Sequence, residues 1–219
     1  MKKEFISYPK SGRTWIRYIL LQLGLENDIW FHHSNFEFND GNMPAHNFNI
    51  EELRHKYSNT DRIIYLERDP RDVMVSLFCQ VTGRFKDFFN YQGSISDFIR
   101  DDYFGAESLN LFRIMWNNLA KEKGFLKVSY EECHEDMLKV ISSILNYYNV
   151  DIEQGKLIRA IKNAGFDNMK NIELKNTFNR AWLQPRQGHL KVRKGKINGY
   201  KDSLVEADIL FLNGIFKLH

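Results

Sequence analysis

Short apolar runs alternate with longer stretches of helical periodicity along this chain. Strands are predicted at residues 4–8, 62–67 and 125–130, each bounded by turn-forming residues. Stripes of apolar side chains that recur every three or four positions follow each run, which is the spacing of amphipathic helices. Strands that alternate with helices are typical of a parallel sheet. We therefore predict an α/β fold with a central parallel sheet flanked by helices, one domain over residues 1–219, and ligands bound beyond the carboxyl ends of the strands.

The segments after the second and third strands carry more local signals. Asp69 and Pro70 mark a helix start, since Asp accepts hydrogen bonds from first-turn amides and proline fits the first helical position. A single long helix is predicted over residues 131–148. Between residues 82 and 103 the aromatic side chains are irregularly spaced, which favours a small satellite core over a substrate-binding wall.

The distribution of charge is more informative than its total. Charged residues make up 27% of the chain and hydrophobic ones 43%, which is typical of a globular protein. The 31 Lys and Arg exceed the 28 Asp and Glu by too little to make nucleic acid or an anionic membrane the expected partner. No acid lies between Glu173 and Asp202, whereas eight bases do: Lys175, Arg180, Arg186, Lys191, Arg193, Lys194, Lys196 and Lys201. This stretch either binds an anion or forms a solvated basic loop.

The chain shows no pattern that predicts export or membrane insertion. Its first residues lack the apolar run of a signal peptide, and the longest apolar helix, residues 16–25, is too short to span a bilayer. Cys79 and Cys133 lack Cys-x-x-Cys spacing, so we expect two reduced, packed thiols and no metal site. These features predict a cytoplasmic protein.

The first chemical motif, Tyr8-Pro-Lys-Ser-Gly-Arg-Thr-Trp15, lies where the first strand turns into the first helix. Small residues let backbone amides approach an anion, and the start of a helix favours negative charge. The motif adds a cation and a hydroxyl. A Walker A loop reads Gly-x4-Gly-Lys-[Ser/Thr], and here the first Gly and the Lys are absent. The loop is therefore P-loop-like but a poor match to an NTPase, and its alternative is an ordinary strand-to-helix turn.

Two further motifs indicate phosphate contacts. Arg68 ends the second predicted strand and Ser76 lies two turns into the next helix, so a guanidinium and a hydroxyl can approach one phosphate from two sides. The segment Arg193-Lys-Gly195 lies in a glycine-containing loop that can fold over a ligand. Taken alone, these residues also fit helix-surface charges or an ordinary basic loop.

Together, the three motifs resemble the fingerprints of the sulfotransferase family that depends on 3′-phosphoadenylyl sulfate (PAPS). The family has a Pro-Lys-Ser-Gly-Thr-Thr-Trp loop, an Arg followed eight residues later by Ser, and a late Arg-Lys-Gly loop, in the same order and spacing. Tyr130-Glu131 and residues 165–170 resemble two further family segments, so the likeness runs from about Phe5 to Lys201. It implies a P-loop-NTPase-like α/β fold and transfer of a sulfuryl group from PAPS to a hydroxyl, which releases PAP without a metal.

The resemblance also implies a role for each matched residue. The phosphosulfate would be held by Lys10, Ser11, Gly12, Arg13 and Thr14, with Trp15 against the adenine. The 3′-phosphate would be held by Arg68, Ser76, Arg193, Lys194 and Gly195, and the adenine pocket would be completed by Tyr130 and Phe166. Arg13 stands where the family usually has Thr, and it adds a cation at the phosphosulfate.

Sulfuryl transfer needs positive charge at the leaving oxygen and a base for the acceptor proton. Lys10 is the predicted cation. The resemblance implies a His base in a Lys-Thr-His motif, and His46 fits that place, with Pro44 where the family has Lys. His32, His33 and Glu37 stay open as alternative bases. His55, His134, His189 and His219 are expected to be structural.

The acceptor stays open at this stage, as either a small molecule or a saccharide with a hydroxyl group. Residues 201–205 lack the family's dimerisation pattern, so that dimer is not predicted and the oligomeric state stays open. Two alternative functions remain. A nucleotide or nucleoside kinase would need Mg²⁺ and ATP, and a catalytically inactive PAP-binding module would bind PAP without turnover.

Overall fold

The structure is a computed structural model that describes residues 2–37, 43 and 45–218. Among these residues, a parallel sheet has the order β2-β1-β3-β4, with β1 at Lys3–Ser7, β2 at Trp30–His32, β3 at Arg62–Glu67 and β4 at Leu126–Ser129. Phe5 of β1 pairs with Phe31 on one side and Ile64 on the other. The predicted α/β fold with a central parallel sheet is confirmed. β2 was not predicted, because three residues are too few to show a strand period.

Helices surround the sheet. They are α1 (Arg13–Gln22), α2 (Ile50–Lys56), α3 (Pro70–Cys79), α4 (Lys86–Phe89), α5 (Ile95–Phe98), α6 (Ala106–Lys123), α7 (Tyr130–Glu135), α8 (Met137–Tyr147), α9 (Gln154–Asn163), α10 (Phe166–Leu174) and α11 (Glu206–Phe216). A π-helical turn, Gln80–Arg84, follows α3 directly. Each of β1, β3 and β4 therefore leads through a short connection, or directly, into a helix at the carboxyl end of the sheet.

Side chains that alternate along the central strands separate two hydrophobic cores. Ile6 and Tyr65 face the core formed with α3, α6 and α11, whereas Phe5 and Leu66 face the core formed with α1, α8 and α9. These four side chains are at most 1% exposed. Burial of a large apolar side chain stabilises the fold by about 1.5–3 kcal/mol, so both helical layers hold the sheet firmly.

Helix boundaries follow capping residues more closely than apolar spacing. The Asp69 carboxylate accepts a hydrogen bond from the amide of Arg71 at 2.9 Å, and Pro70 opens α3, as predicted. The single helix predicted over residues 131–148 is wrong, because α7 ends at Glu135 and α8 begins at Met137. Asp136 between them accepts from the amide of Lys139 at 2.9 Å and so starts a new helix.

Most of the aromatic side chains described between residues 82 and 103 pack in the core beside α6. Phe98 is fully buried, stacks on Phe104 and has Tyr91 packed edge-on against it. Phe85 differs, because it lines the cavity described below. The expectation of packing thus holds for Phe98 and Tyr91 but not for Phe85.

Three sequence predictions concern the chain more broadly. Cys79 and Cys133 are free thiols, as predicted. None of the helices that the structure describes combines the length and apolar character needed to cross a membrane. One domain over residues 1–219 stays a prediction.

Candidate active site

The strands end at a cavity of about 680 Å³. Its walls come from the loop after β1, the residue after β2, α3 with its π-helical turn, α7, α10 and the late chain segment up to Gly195. The predicted donor contacts that line it are Lys10, Gly12, Arg13, Thr14, Trp15, Arg68, Ser76, Tyr130, Phe166, Arg193, Lys194 and Gly195. Ser11 does not line it: the residue is 2% exposed, and its amide donates to the Tyr8 carbonyl at 3.3 Å. The fold therefore brings motifs from distant parts of the chain to one place.

The loop between β1 and α1 has the backbone of an anion-binding turn. Lys10 and Gly12 adopt left-handed conformations, with φ of +75° and +97°. α1 begins at Arg13, and the backbone amides of its first turn have no hydrogen-bond partner within the helix. These amides belong to residues that line the cavity, where they can bind an anion. Glycine is required at position 12 twice over, by its φ and because a Cβ there would overlap the ring of Tyr130.

Lys10 lies in a strongly positive environment. Burial lowers the pKa of its ammonium group to about 7, and the nearby charges of Arg84, Arg193 and Arg68 contribute in the same direction. An anion bound in the cavity would favour the charged form of Lys10. The lysine is thus placed where a negatively charged ligand offsets several cations at once.

Arg68 is held by backbone carbonyls. Its Nη1 donates to Lys10 O and its Nη2 to Lys196 O, both at 3.2 Å. The guanidinium lies 4.2 Å from the Tyr130 ring centroid and pairs with Asp72 at 3.6 Å. These contacts fix the cation where the loop after β1, α3 and the late chain segment meet.

Aromatic rings line the same side of the cavity. Trp15, Tyr130 and His134 pack edge-on, with Trp15 5.9 Å and His134 4.7 Å from the Tyr130 ring. Gly195 has φ of +59°, and a Cβ there would overlap the ring of Phe166. His134 was expected to be structural, yet it lines the cavity. The reason is that α7 begins at Tyr130, which puts a residue four positions later on the same helix face.

His46, the predicted base, does not line the cavity. Its ring lies 4.4 Å from Phe36 and 4.2 Å from Tyr103, and its Nδ1 is 3.3 Å from the Ser108 hydroxyl. It packs in the aromatic core beside α6, where burial lowers its pKa. Pro44, where the sequence departs from the family motif, lies outside the described residues. The geometry therefore does not support His46 as the base, and that role stays a prediction.

His33 lies at the cavity instead, directly after β2. Its Nδ1 donates to the carbonyl of Ser7 at 2.7 Å, and its Nε2 accepts from Arg13 Nη2 at 2.8 Å. A carbonyl only accepts and a guanidinium only donates, so the imidazole is neutral, with its proton on Nδ1 and its lone pair on Nε2. Burial and the charge of Arg13 hold the pKa of His33 well below its usual range.

The two remaining candidates for the base have different surroundings. Glu37 lines the cavity, and its Oε1 accepts a hydrogen bond from the backbone amide of His33 at 2.6 Å. His32 is buried and contacts the Glu4 carboxylate at 2.8 Å, which also accepts from the Tyr57 hydroxyl. Glu37 thus supports the position of His33, whereas His32 belongs to the packing of the sheet.

Comparison with known proteins decides which family has this arrangement. Residues 46–219 match the family model described as "Sulfotransferase domain". The chain belongs to this sulfotransferase family. It is 25% identical over 200 residues to human sulfotransferase 2A1, covering 78% of this chain and 67% of that protein. It is 27% identical over 164 residues to luciferin sulfotransferase of Photinus pyralis, covering 68% of this chain and 41% of that protein.

Solved structures resemble the fold of this sulfotransferase over nearly its whole length. Mouse sulfotransferase SULT7A1, complexed with PAP, aligns with a TM-score of 0.72 and 17% identity over 99% of this chain and 82% of its own. A retinol dehydratase in complex with androsterone and PAP aligns with a TM-score of 0.65 and 17% identity, over 99% of this chain and 79% of its own. The predicted family is confirmed, the comparisons support a sulfotransferase enzyme, and they give the kinase alternative no support.

Several residues of the cavity in this sulfotransferase belong to no motif that could be recognised in the sequence. Arg84 donates from Nη1 to Gln184 O at 2.9 Å and to His189 O at 3.1 Å, and it pairs with Glu173 at 3.2 Å. The fully buried Glu173 accepts from the backbone amides of residues 191 and 192 at 2.6 and 2.9 Å. This pair attaches the segment 184–192 to the rest of the molecule. No local sequence pattern predicts these contacts.

The stretch without acids between Glu173 and Asp202 was expected either to bind an anion or to form a solvated basic loop, and its residues divide between the cavity and the exposed surface. Arg186, Lys191, Arg193 and Lys194 line the cavity, whereas Lys196 is an exposed residue paired with Asp202 at 2.5 Å. Burial and the charges of Lys10, Arg84 and Arg13 hold the pKa of Lys191 well below its usual range. The late basic residues thus add positive charge to the cavity beyond the residues of the family motifs.

Within residues 2–37, 43 and 45–218, no three His, Cys, Asp or Glu side chains are grouped so that they could hold a metal ion. A reaction without metal stays a prediction.

Proposed function

We propose that this sulfotransferase transfers a sulfuryl group from PAPS to the hydroxyl of a small-molecule acceptor, with His33 as the base that takes the acceptor proton. The observation that carries the proposal is the position of His33 Nε2, whose lone pair lies at the same cavity as the loop from Lys10 to Trp15. The donor is PAPS, in keeping with the family; PAP is the nucleotide in the structures of both neighbours.

The donor half of the cavity consists of Lys10, residues 12–15 and residues 193–195, with Arg68, Ser76, Tyr130 and Phe166. It suits a nucleotide with two anionic groups. Its glycines at 12 and 195 lie so close to the rings of Tyr130 and Phe166 that any side chain would overlap them, so both loops need glycine to approach the aromatic wall. The buried Nε of Arg68 has no hydrogen-bond partner among the described residues, which supports an anionic ligand there. Lys10 and the first amides of α1 receive the phosphosulfate, and Arg68, Ser76 and Arg193 receive the 3′-phosphate.

The transfer requires one base and one cation from the protein. The bond between sulfur and the bridging oxygen of the donor breaks, and a bond forms between sulfur and the acceptor oxygen. The acceptor proton passes to His33 Nε2, and PAP leaves with the electron pair on its phosphate oxygen. Lys10 stabilises that negative charge. General-base catalysis typically contributes ~10²–10⁴-fold, and one preorganised donor at a developing charge about 10²–10³-fold.

The acceptor half of the cavity consists of Phe31, His33, Glu37, Arg84, Phe85, Trp182, Arg186 and Lys191. Arg17 lies between two of its rings, 5.1 Å from the centroid of Phe31 and 4.7 Å from that of Trp182. Aromatic side chains in the cavity wall support a small molecule over an extended saccharide. Relatives named for small hydroxyl compounds, among them luciferin sulfotransferase and a 3-beta-hydroxysteroid sulfotransferase, point the same way.

The test compares His33→Asn with His46→Asn. Product formation from PAPS is measured with a panel of phenols, aliphatic alcohols and monosaccharides, and PAP binding is measured separately. We expect His33→Asn to lower kcat about 10²–10⁴-fold with PAP affinity retained, and His46→Asn to keep kcat because its ring lies outside the cavity. Equal turnover by the two variants would remove His33 from the mechanism. A wild-type protein that binds PAP but sulfates nothing in the panel would instead be the inactive PAP-binding module.

We also propose a cytoplasmic location. The oligomeric state stays open.

A further inference from the structure

Arg13 touches both the loop of the donor half and the proposed base. It is the first residue of α1, it lines the cavity, and it stands where the family motif usually has Thr. Its Nη2 donates to His33 Nε2 at 2.8 Å, while its buried Nη1 has no hydrogen-bond partner among the residues described. A buried donor without a partner is unfavourable, so Nη1 is placed for an oxygen that a ligand supplies.

The bond between Arg13 and His33 occupies the atom that the reaction needs. Nδ1 of His33 carries its proton and donates it to Ser7 O, so Nε2 is the ring atom that can accept a proton. Nε2 cannot accept from an acceptor hydroxyl while it accepts from Arg13. Proton transfer to His33 therefore requires that Arg13 exchange this partner for another.

We propose that Arg13 is a catalytic residue that exchanges His33 Nε2 for a sulfonate oxygen of PAPS, so that the base is released where the donor's sulfonate lies. The inference rests on the proposed function. The exchange breaks one N–H···N hydrogen bond and forms one N–H···O⁻ hydrogen bond, and the guanidinium keeps all its protons. Its direction follows from charge, because a guanidinium binds an anionic oxygen more strongly than a neutral imidazole.

The groups that face His33 determine what removal of Arg13 does to it. The positive side chains are Arg13 and Lys191, the neighbouring ring is His32, and the Glu37 carboxylate accepts from the backbone amide of His33. Arg13→Thr removes one of the two cations, so the pKa of His33 rises. The base is active in its neutral form, so the acid limb of the rate profile moves to higher pH.

A spectroscopic test observes the exchange directly. The ¹⁵N resonances of His33, assigned by their loss in His33→Asn, are followed on addition of PAPS without acceptor and, separately, of PAP. We expect the Nε2 resonance to move with PAPS, as its hydrogen bond to Arg13 is lost, and to stay near its starting position with PAP, which has no sulfonate. Equal movement with both nucleotides, or none with PAPS, would overturn the proposal.

A kinetic test uses Arg13→Thr and Arg13→Lys, with Arg159→Gln as the control for loss of an exposed positive charge. We expect Arg13→Thr to lower kcat about 10²-fold, and to move the acid limb of kcat/KM up by about one pH unit. Arg13→Lys should fall between this variant and the wild type, and Arg159→Gln should match the wild type. A Thr variant with wild-type kcat and an unmoved limb contradicts the proposal.

Failure of this proposal and of the proposed function give different results. If PAPS moves the His33 resonance but no acceptor is sulfated, Arg13 is still a donor contact and the enzyme function fails. If the wild type sulfates an acceptor and Arg13→Thr does so equally well, the function stands and the role of Arg13 fails.

Discussion

The donor and acceptor halves of the cavity are assembled in different ways. Residues of the donor half come in short motifs at the ends of strands, and backbone atoms of those same motifs hold them, as Lys10 O holds Arg68. The acceptor half joins side chains that lie far apart in the chain, as Arg84 and Glu173 do across 89 positions. Both halves are held together over long range, as Arg68 also is by Lys196 O, but only the donor half is built from short motifs that can be recognised in the sequence.

The largest effect is expected from breaking the acceptor half at Glu173. Glu173→Gln keeps the shape of the side chain but removes the charge that pairs with the buried Arg84 at 3.2 Å. An uncompensated buried charge costs roughly 3–5 kcal/mol, so the free energy of unfolding should fall by about that amount in urea titration. The KM for the acceptor should rise severalfold, with PAP affinity much less affected.

Glu122→Gln is the matched control, because Glu122 pairs with Arg54 on an exposed surface. It should leave the unfolding midpoint close to that of the wild type. If both variants lose equal stability, the buried pair does not hold the acceptor half.

A smaller effect is expected from breaking the donor half at Arg68. Arg68→Ala removes a guanidinium fixed by two carbonyls and a ring, and charged hydrogen bonds contribute roughly 1.5–3 kcal/mol. Calorimetry without metal should show PAP binding about 10–100-fold weaker. Binding of ADP, which has no 3′-phosphate, should change little. A similar loss for both nucleotides would place Arg68 away from the 3′-phosphate.

The smallest expected effect is the pH dependence of PAP affinity, which tests the role of Lys10 in the donor half. Its pKa is lowered to about 7, so the ammonium charge is present below that pH and lost above it. A bound anion favours the charged form, so PAP affinity should fall about fivefold between pH 7 and pH 8. Lys10→Arg, which keeps its charge over this range, should remove most of the dependence. An unchanged slope in that variant assigns the titration to another group.

Much of the fold is predictable from the sequence because its strands are buried on both faces and bounded by turns. β3 lies at the predicted residues, β1 is shifted by one residue toward the amino terminus, and β4 is shorter by one residue at each end. The break at Asp136 was missed because apolar spacing continues across it while the side chain caps a new helix. Periodicity reports which face is buried, but not where hydrogen bonding restarts.

The site is predictable in its donor half and not in its acceptor half. Motif spacing identifies Arg68, Ser76 and the loop residues 10–15 in the sequence. All of them except Ser11 line the cavity. His46 was predicted as the base because the sequence there resembles a family motif, and that role stays a prediction. His33, one of the alternatives, lines the cavity because it follows a strand too short to be recognised. Lys191 and Arg84 depend on tertiary contacts through Glu173, which no local spacing encodes.

The buried ion pair of Arg84 and Glu173 affects which substitutions this enzyme can tolerate during evolution. Its four hydrogen bonds to the segment 184–192 all end on backbone atoms: the carbonyls of Gln184 and His189 and the amides of Lys191 and Val192. Substitutions of side chains within the segment therefore leave these four hydrogen bonds in place, although replacement of Arg186 would remove its own bond to the Arg84 carbonyl at 2.9 Å. Proline at position 191 or 192 is the exception, since it lacks the amide hydrogen. Most side chains of this part of the cavity wall can thus change while the backbone that carries them stays attached.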